Sequence, residues 1–149
     1  MQMVYVDTSV FGGYFDEEFQ EDTRPFFEEA QAGLHKLIVS VLTLEELEPA
    51  PERVRKLTEE IPLELVSLTE EALQLGQKYV EEGAVSSKYL SDAVHIALAT
   101  LNRINTIASW NFKHMVNVNR IRQYNAINLK YGYHLVDIRT PKELLHGNE

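Results

Sequence analysis

A three-layer α/β/α sandwich around a parallel sheet of about five strands is the fold this sequence predicts. Three observations lead there. Short β-branched apolar runs alternate with segments of helical period along the whole chain. The first run, Met3 to Val6, is almost unbroken in its apolar character, which suits a strand buried on both faces. That run ends in Asp7-Thr8-Ser9, so an acid stands at the carboxyl end of a strand, where open α/β sheets place their ligands. The 149 residues suffice for one domain, 1–149, with a substantial core.

After Asp7, residues Ser9 to Phe15 form a short apolar segment interrupted by Gly12-Gly13, and Asp16 to Asp22 an acidic turn. Thr23-Arg24-Pro25 reads as a helix start, with proline near the first helical position. Phe26, Phe27, Ala30 and Leu34 then follow helical spacing. Lys36 to Ser40 is the second strand; Thr43 to Glu48 and Pro51 to Glu60 are helices. Leu63 to Leu68 is a weaker third strand. Thr69-Glu70-Glu71 opens a helix with a hydroxyl cap and acids that suit the helix dipole. Ser86 or Ser87 caps a helix to about Arg103, whose apolar positions from Leu90 to Leu101 keep the 3.6-residue period. Thr106 to Ser109 is the fourth strand, Asn117 to Tyr131 a polar helix, Leu135 to Ile138 the fifth strand, and Thr140-Pro141 opens a last helix.

There is no cysteine, which excludes thiol catalysis, thiolate zinc sites and disulfides and fits a reducing cytoplasm. The Val4 to Val6 run is too short for a signal sequence, and no stretch approaches the roughly 20 apolar residues of a membrane span. A cytoplasmic protein with no membrane association is therefore expected. The charge is uneven: 6 basic and 19 acidic residues up to Gly83 give −13, and 8 against 4 from Ala84 onward give +4. Such asymmetry marks either a polar ligand surface or acidic helices that keep the protein soluble.

Polar residues gather where strands end and helices begin. The first strand offers Asp7, Thr8 and Ser9; the second offers Ser40 and Thr43, with Glu45 and Glu46 behind them. Asp92 lies about a turn and a half into its helix, and Ser109, Trp110 and Asn111 follow the fourth strand. A parallel sheet brings several of these to one cleft. Carboxylates there, about 5 Å apart at an effective dielectric of ~20, repel by roughly 3 kcal/mol per pair. A divalent cation relieves that, and an oxygen-only donor set favours Mg²⁺ or Mn²⁺ over zinc. The bland readings are a helix N-cap for Asp7, caps for Thr8 and Ser9, a solvated helix position for Glu45 and Glu46, and a turn hydrogen bond for Asp92. His95, one turn beyond Asp92, reads as a hydrogen-bonded, half-buried histidine rather than a ligand.

Val4 to Val10, Ser40 to Leu47, Ser91 to Ala99 and Ile107 to Phe112 occur in that order, and together the chain resembles a PIN domain of the VapC toxin type. The resemblance implies a Rossmann-like parallel sheet and a Mg²⁺- or Mn²⁺-dependent endoribonuclease. It implies Asp7, Glu46 and Asp92 as metal ligands, with Thr8 or Ser9 as the hydroxyl beside the metal. At the position of a further family acid this chain has Asn111, a neutral group, so a second ion is held less tightly than the first. An RNA substrate, an antitoxin protein partner and a homodimer are further implications.

In the mechanism expected from this set, Asp7, Glu46 and Asp92 hold the cation, one carboxylate orients or deprotonates a water, and Ser109 and Asn111 position a water or a phosphate oxygen. Lys88, Arg103, Lys113, His114, Arg120 and Arg122 are the candidate phosphate contacts; Lys113 and His114 should border the site. Trp110 and Tyr124 are candidates for stacking on unpaired bases. Phe11, Tyr14 and Phe15 are either core or part of an antitoxin groove. A dehalogenase-type phosphatase would need an acid where Ser9 stands, and a phospho-receiver domain would need one ending the third strand. The remaining rival is a catalytically weak PIN-fold binding or assembly protein.

Overall fold

The computed structural model describes residues 1–146; residues 147–149 of the expected domain lie outside it. In chain order the elements are β1 (Gln2–Val6), α1 (Thr8–Gly13), α2 (Gln20–Gln31), β2 (His35–Ser40), α3 (Val41–Leu47), α4 (Glu52–Glu60), β3 (Leu63–Val66) and α5 (Glu70–Glu81). A 3-10 turn (Ser87–Tyr89) then precedes α6 (Leu90–Leu101), β4 (Thr106–Ala108), α7 (Val118–Lys130), β5 (Asp137–Arg139) and α8 (Pro141–Leu144). The strands form one sheet in the order β3-β2-β1-β4-β5, every pairing parallel.

Alternation along the strands sorts the core into two layers. Val4, Val6, Leu37, Val39 and Ala108 face one way and pack with apolar residues of α1, α2, α3 and α4. Tyr5, Ile38, Ile107 and Ile138 face the other way, toward α5, α6 and α7. This is why Val4, Tyr5 and Val6 all read as apolar: β1 is the central strand and each of the three is fully buried. The strand order reverses beside β1, since β2 and β3 build outward on one side and β4 and β5 on the other. The crevice outside the carboxyl ends of β1 and β4 is the topological switch point, and Asp7 and Ser109 stand at its mouth.

Four local expectations are corrected. Helix α2 begins at Gln20 rather than near Thr23, and Pro25 lies inside it. Glu21 and Asp22 occupy its first turn, where acids suit the dipole, so the stretch read as an acidic turn is partly helix. Neither Ser86 nor Ser87 caps α6 through its side chain; the 3-10 turn intervenes, and Asp92 lies in the first turn of α6. The fifth strand starts at Asp137, because both backbone groups of Val136 are taken by the side-chain amide of Asn125, at 2.8 Å each, in place of a strand partner. The expected hydroxyl cap at Thr69 and the start at Thr140-Pro141 are both present. Among the described residues, no helix is long and apolar enough to cross a membrane.

Helices α5 and α6 approach closely at Gly76. A Cβ there would lie 2.7 Å from Val94 Cγ2 and 3.3 Å from the Val94 backbone. We expect Gly76→Ala to destabilise the fold by about 1–3 kcal/mol despite the better helix propensity of alanine. Thermal denaturation checks it, at roughly 2–4 °C per kcal/mol for a chain of this size.

Candidate metal centre

Asp7 occupies the N-cap position of α1, yet its side chain makes no capping bond. It is buried instead, and its Oδ2 accepts hydrogen bonds from Ser9 Oγ (2.7 Å) and Ser109 Oγ (2.9 Å). Those two serines in turn accept from the backbone N–H groups of Trp110 and Asn111, at 3.0 and 2.9 Å. The turn after β4 is thereby stitched to the carboxylate ending β1. Ser109 is fully buried and its hydroxyl is committed to Asp7, so it scaffolds that acid instead of contacting substrate, a correction to the expected role.

Glu46, on the last turn of α3, accepts from Thr8 Oγ1 (2.7 Å) and from His95 Nε2. The same Nε2 lies 3.8 Å from Asp7 Oδ1. His95 is fully buried rather than half-buried, and its Nδ1 is 2.7 Å from the hydroxyl of Tyr5. Tyr5 also meets Ser40 Oγ at 2.8 Å, and Ser40 caps α3. A consistent proton assignment runs from Ser40 through Tyr5 to His95 Nδ1, leaving Nε2–H aimed at Glu46. Burial raises the Tyr5 pKa, which keeps that hydroxyl protonated. Ser40 and Thr43 therefore build the support behind the site; Glu45 is exposed.

Asp92 completes the acidic set from α6. Burial, and next the charge of Asp7, push its carboxyl up to about 6; His95 and a hydrogen bond from Asn111 Nδ2 (3.2 Å) oppose that rise. Asn111 lies beside Asp92 and acts as a neutral donor to it. Glu46 is held below the usual carboxylate range: burial works against its charge, and the bonds from His95 and Thr8 outweigh it. For His95, burial disfavours the cation, and Glu46, Asp7 and Asp92 together outweigh burial and raise its pKa.

The acids from three distant segments therefore face one histidine. Their oxygens are not drawn together within 4.8 Å as a group, since His95 and Asn111 hold two of them. To share a cation, Glu46 must release His95 and Asp92 must release Asn111. The donor chemistry fits a hard dication: three carboxylates, one of them buried, offer oxygen donors alone once Glu46 has let go of His95.

The flanking candidates divide sharply. Lys113 is exposed, two residues beyond Asn111. His114 is buried and stacked on Tyr89 with ring centroids 3.6 Å apart, and burial lowers its pKa, so it is not the expected phosphate-binding cation. Arg120 Nη1 is tied to the Ala84 carbonyl at 2.7 Å. Arg103 precedes β4, at the opposite end of the sheet from the site. Tyr124 is fully buried with its hydroxyl on the His114 carbonyl, which removes it as a stacking platform. Trp110 is partly buried, donates to Thr23 at 2.9 Å and stacks on Phe19. The accessible ring is Phe112, 50% exposed, one residue beyond Asn111. Phe11 is core, and Tyr14 and Phe15 pack partly buried against the same cluster.

Sequence reasoning passed over Tyr5 and His95 as parts of the site. The signal for His95 was its three-residue spacing from Asp92, which places both on one helix face. For Tyr5 the only signal was a hydroxyl inside an otherwise aliphatic strand.

No curated protein matches the chain. Solved structures share its fold, among them the two that follow. VapBC2 from Rickettsia felis, bound to a DNA fragment from its promoter, matches with TM-score 0.58 at 13% identity, covering 92% of this chain and 98% of the other. FitAcB from Neisseria gonorrhoeae matches with TM-score 0.56 at 12% identity, covering 95% and 100%. The family model for the PIN domain matches residues 4–112, from the central strand through the turn that carries Asn111. That match spans well over half of the sequence and contains all three clustered acids, and the chain belongs to the PIN domain family.

Proposed function

We propose that this protein is a Mg²⁺- or Mn²⁺-dependent endoribonuclease of the VapC toxin type, working in the cytoplasm as one domain over 1–149. The observation that carries the reading is the convergence of Asp7, Glu46 and Asp92 on His95 at the switch point of the sheet. Asp7, Glu46 and Asp92 would hold the cation. When bound, such an ion lowers the pKa of a water toward neutrality and neutralises charge growing on a phosphate. Ser9 and Ser109 fix Asp7, and Thr8 fixes Glu46, so two of the acids start from defined rotamers. One of the carboxylates takes up the proton of the attacking water. Asn111 offers an N–H where a charge would help hold a second ion, so one ion is bound more tightly than the next.

RNA reaches the cleft past Lys113 and Phe112, the first a phosphate contact, the second a face for an unpaired base. An antitoxin protein and a second copy of the chain are the proposed partners. The −13 charge of residues 1–83 favours an antitoxin segment that is basic or partly apolar there.

Purified protein with Mn²⁺ should cut a mixed single-stranded RNA pool, and a chelator should stop it. Glu46→Gln should lower the rate at least about tenfold. A folded protein that leaves the pool intact would instead favour the binding or assembly reading, for which the Glu46–His95 bond and the neutral Asn111 speak.

A further inference from the structure

At the amino end of the sheet, on the side away from the acids just described, three further side chains converge. Glu29 lies on the last turns of α2, His35 is the first residue of β2, and His146 follows α8. His35 Nε2 and His146 Nδ1 lie 2.9 and 3.0 Å from the same oxygen, Glu29 Oε1. The His146 backbone N–H reaches Glu29 Oε1 and Oε2 at 3.1 and 3.0 Å. One ligand atom from each residue falls within 4.8 Å of the other two, an arrangement that no other trio of acids and histidines among the described residues reaches. His35 is buried, and its Nδ1 has no hydrogen-bond partner.

We propose that Glu29, His35 and His146 form a zinc-type metal site that clasps the last described segment of the chain to α2 and β2. Two imidazole nitrogens and one carboxylate oxygen are the borderline donors that zinc and its late first-row neighbours take, and that Mg²⁺ does not seek. Tetrahedral zinc with bonds of about 2.0–2.2 Å needs ligand atoms about 3.4 Å apart. Two of the separations here are within half an ångström of that, so the side chains need only small rotations.

His35 is buried, and its Nε2 is already aimed at the Glu29 carboxylate oxygen that would share the ion. His146 has about half of its side chain exposed, which gives the ion an entry path and leaves a fourth position to water. Nothing in this site depends on the nuclease reading.

The test uses tag-free full-length protein and Zn²⁺ alone. Isothermal titration should show a zinc equivalent that is weakened at least tenfold in His146→Ala and in Glu29→Gln. Nitrogen-15 imidazole spectra should show the His35 Nε2 and His146 Nδ1 signals moving on zinc addition. The same equivalent should survive Asp7→Asn, which separates this site from the acid cluster. His146 is exposed, so His146→Ala should fold; circular dichroism verifies that. Equal zinc affinity in wild type and His146→Ala, or unmoved His35 and His146 nitrogens, would overturn the proposal and leave a hydrogen-bonded clasp only.

Discussion

Asp7→Asn should lose RNA cleavage by at least about a hundredfold while melting at the same temperature as the parent, or higher. The side chain is isosteric, and its remaining carbonyl oxygen can still accept from Ser9 and Ser109, the two hydroxyls that now hold Oδ2. The loss is therefore one of charge rather than of packing. Among the causes of the raised Asp92 pKa, Asp7 comes second after burial, so removing its charge should bring Asp92 down from about 6 toward the ordinary range. A carbon-13 carboxyl titration reads that shift directly. The three measurements together discriminate. Cleavage that survives the substitution at the parent's rate, in protein freed of other nucleases, means that the assignment of Asp7 is wrong. Lost cleavage with a large drop in melting temperature assigns Asp7 a structural role instead.

The legible and the hidden parts of the fold differ in a physical way. Val4, Tyr5 and Val6 announce a strand buried on both faces because burial imposes composition residue by residue, and that strand lies at the centre of the sheet. Asp7, Glu46, Asp92 and Asn111 could be picked out because each sits at the end of a strand or the flank of a helix, positions set by local pattern. The partners that hold them were less visible, because they come from far away in sequence. Tyr5 meets Ser40 across 35 residues and His95 across 90, and Ser109 meets Asp7 across 102. Nothing in a local window distinguishes such a tyrosine from a plain core residue. The fifth strand shows the same limit on a smaller scale. Leu135 and Val136 carry strand-like side chains, but an amide from Asn125 on α7 takes the backbone groups that a strand neighbour would have used. Similarly, the sequence places His114 at the rim as a cation, and only the packed structure turns it inward onto Tyr89.

Without metal, the protein should be more stable near pH 5.5 than near pH 8, and saturating Mg²⁺ should remove most of that difference. The sign follows from two groups. Asp92 has a folded pKa of about 6, above the ordinary 3.8, so its contribution to stability is fully present below the unfolded value and is lost as pH rises through about 6. His95 also titrates higher in the fold than in the unfolded chain. Its charged form is favoured by Glu46, Asp7 and Asp92, and the associated stability fades as pH climbs past its folded value. Both losses run in the same direction. Over the whole window from 3.8 to about 6, Asp92 corresponds to roughly 3 kcal/mol at 1.36 kcal/mol per pKa unit, or on the order of 1–2 kcal/mol once its partial exposure to solvent is allowed for, and about a quarter of that is lost between pH 5.5 and 8. Glu46 sets the acid limit. Its pKa is lowered, so its contribution is present above the ordinary 4.5 and declines as pH falls through the lower folded value. Urea titrations at a series of pH values, in chelator and in Mg²⁺, measure the whole profile. A cation bound by Asp7, Glu46 and Asp92 takes over the charge neutralisation that protons supply in its absence, so metal should raise stability more at pH 8 than at pH 5.5. A metal-free profile that instead rises from pH 5.5 to 8 would mean that the carboxylates do not repel one another as their placement requires.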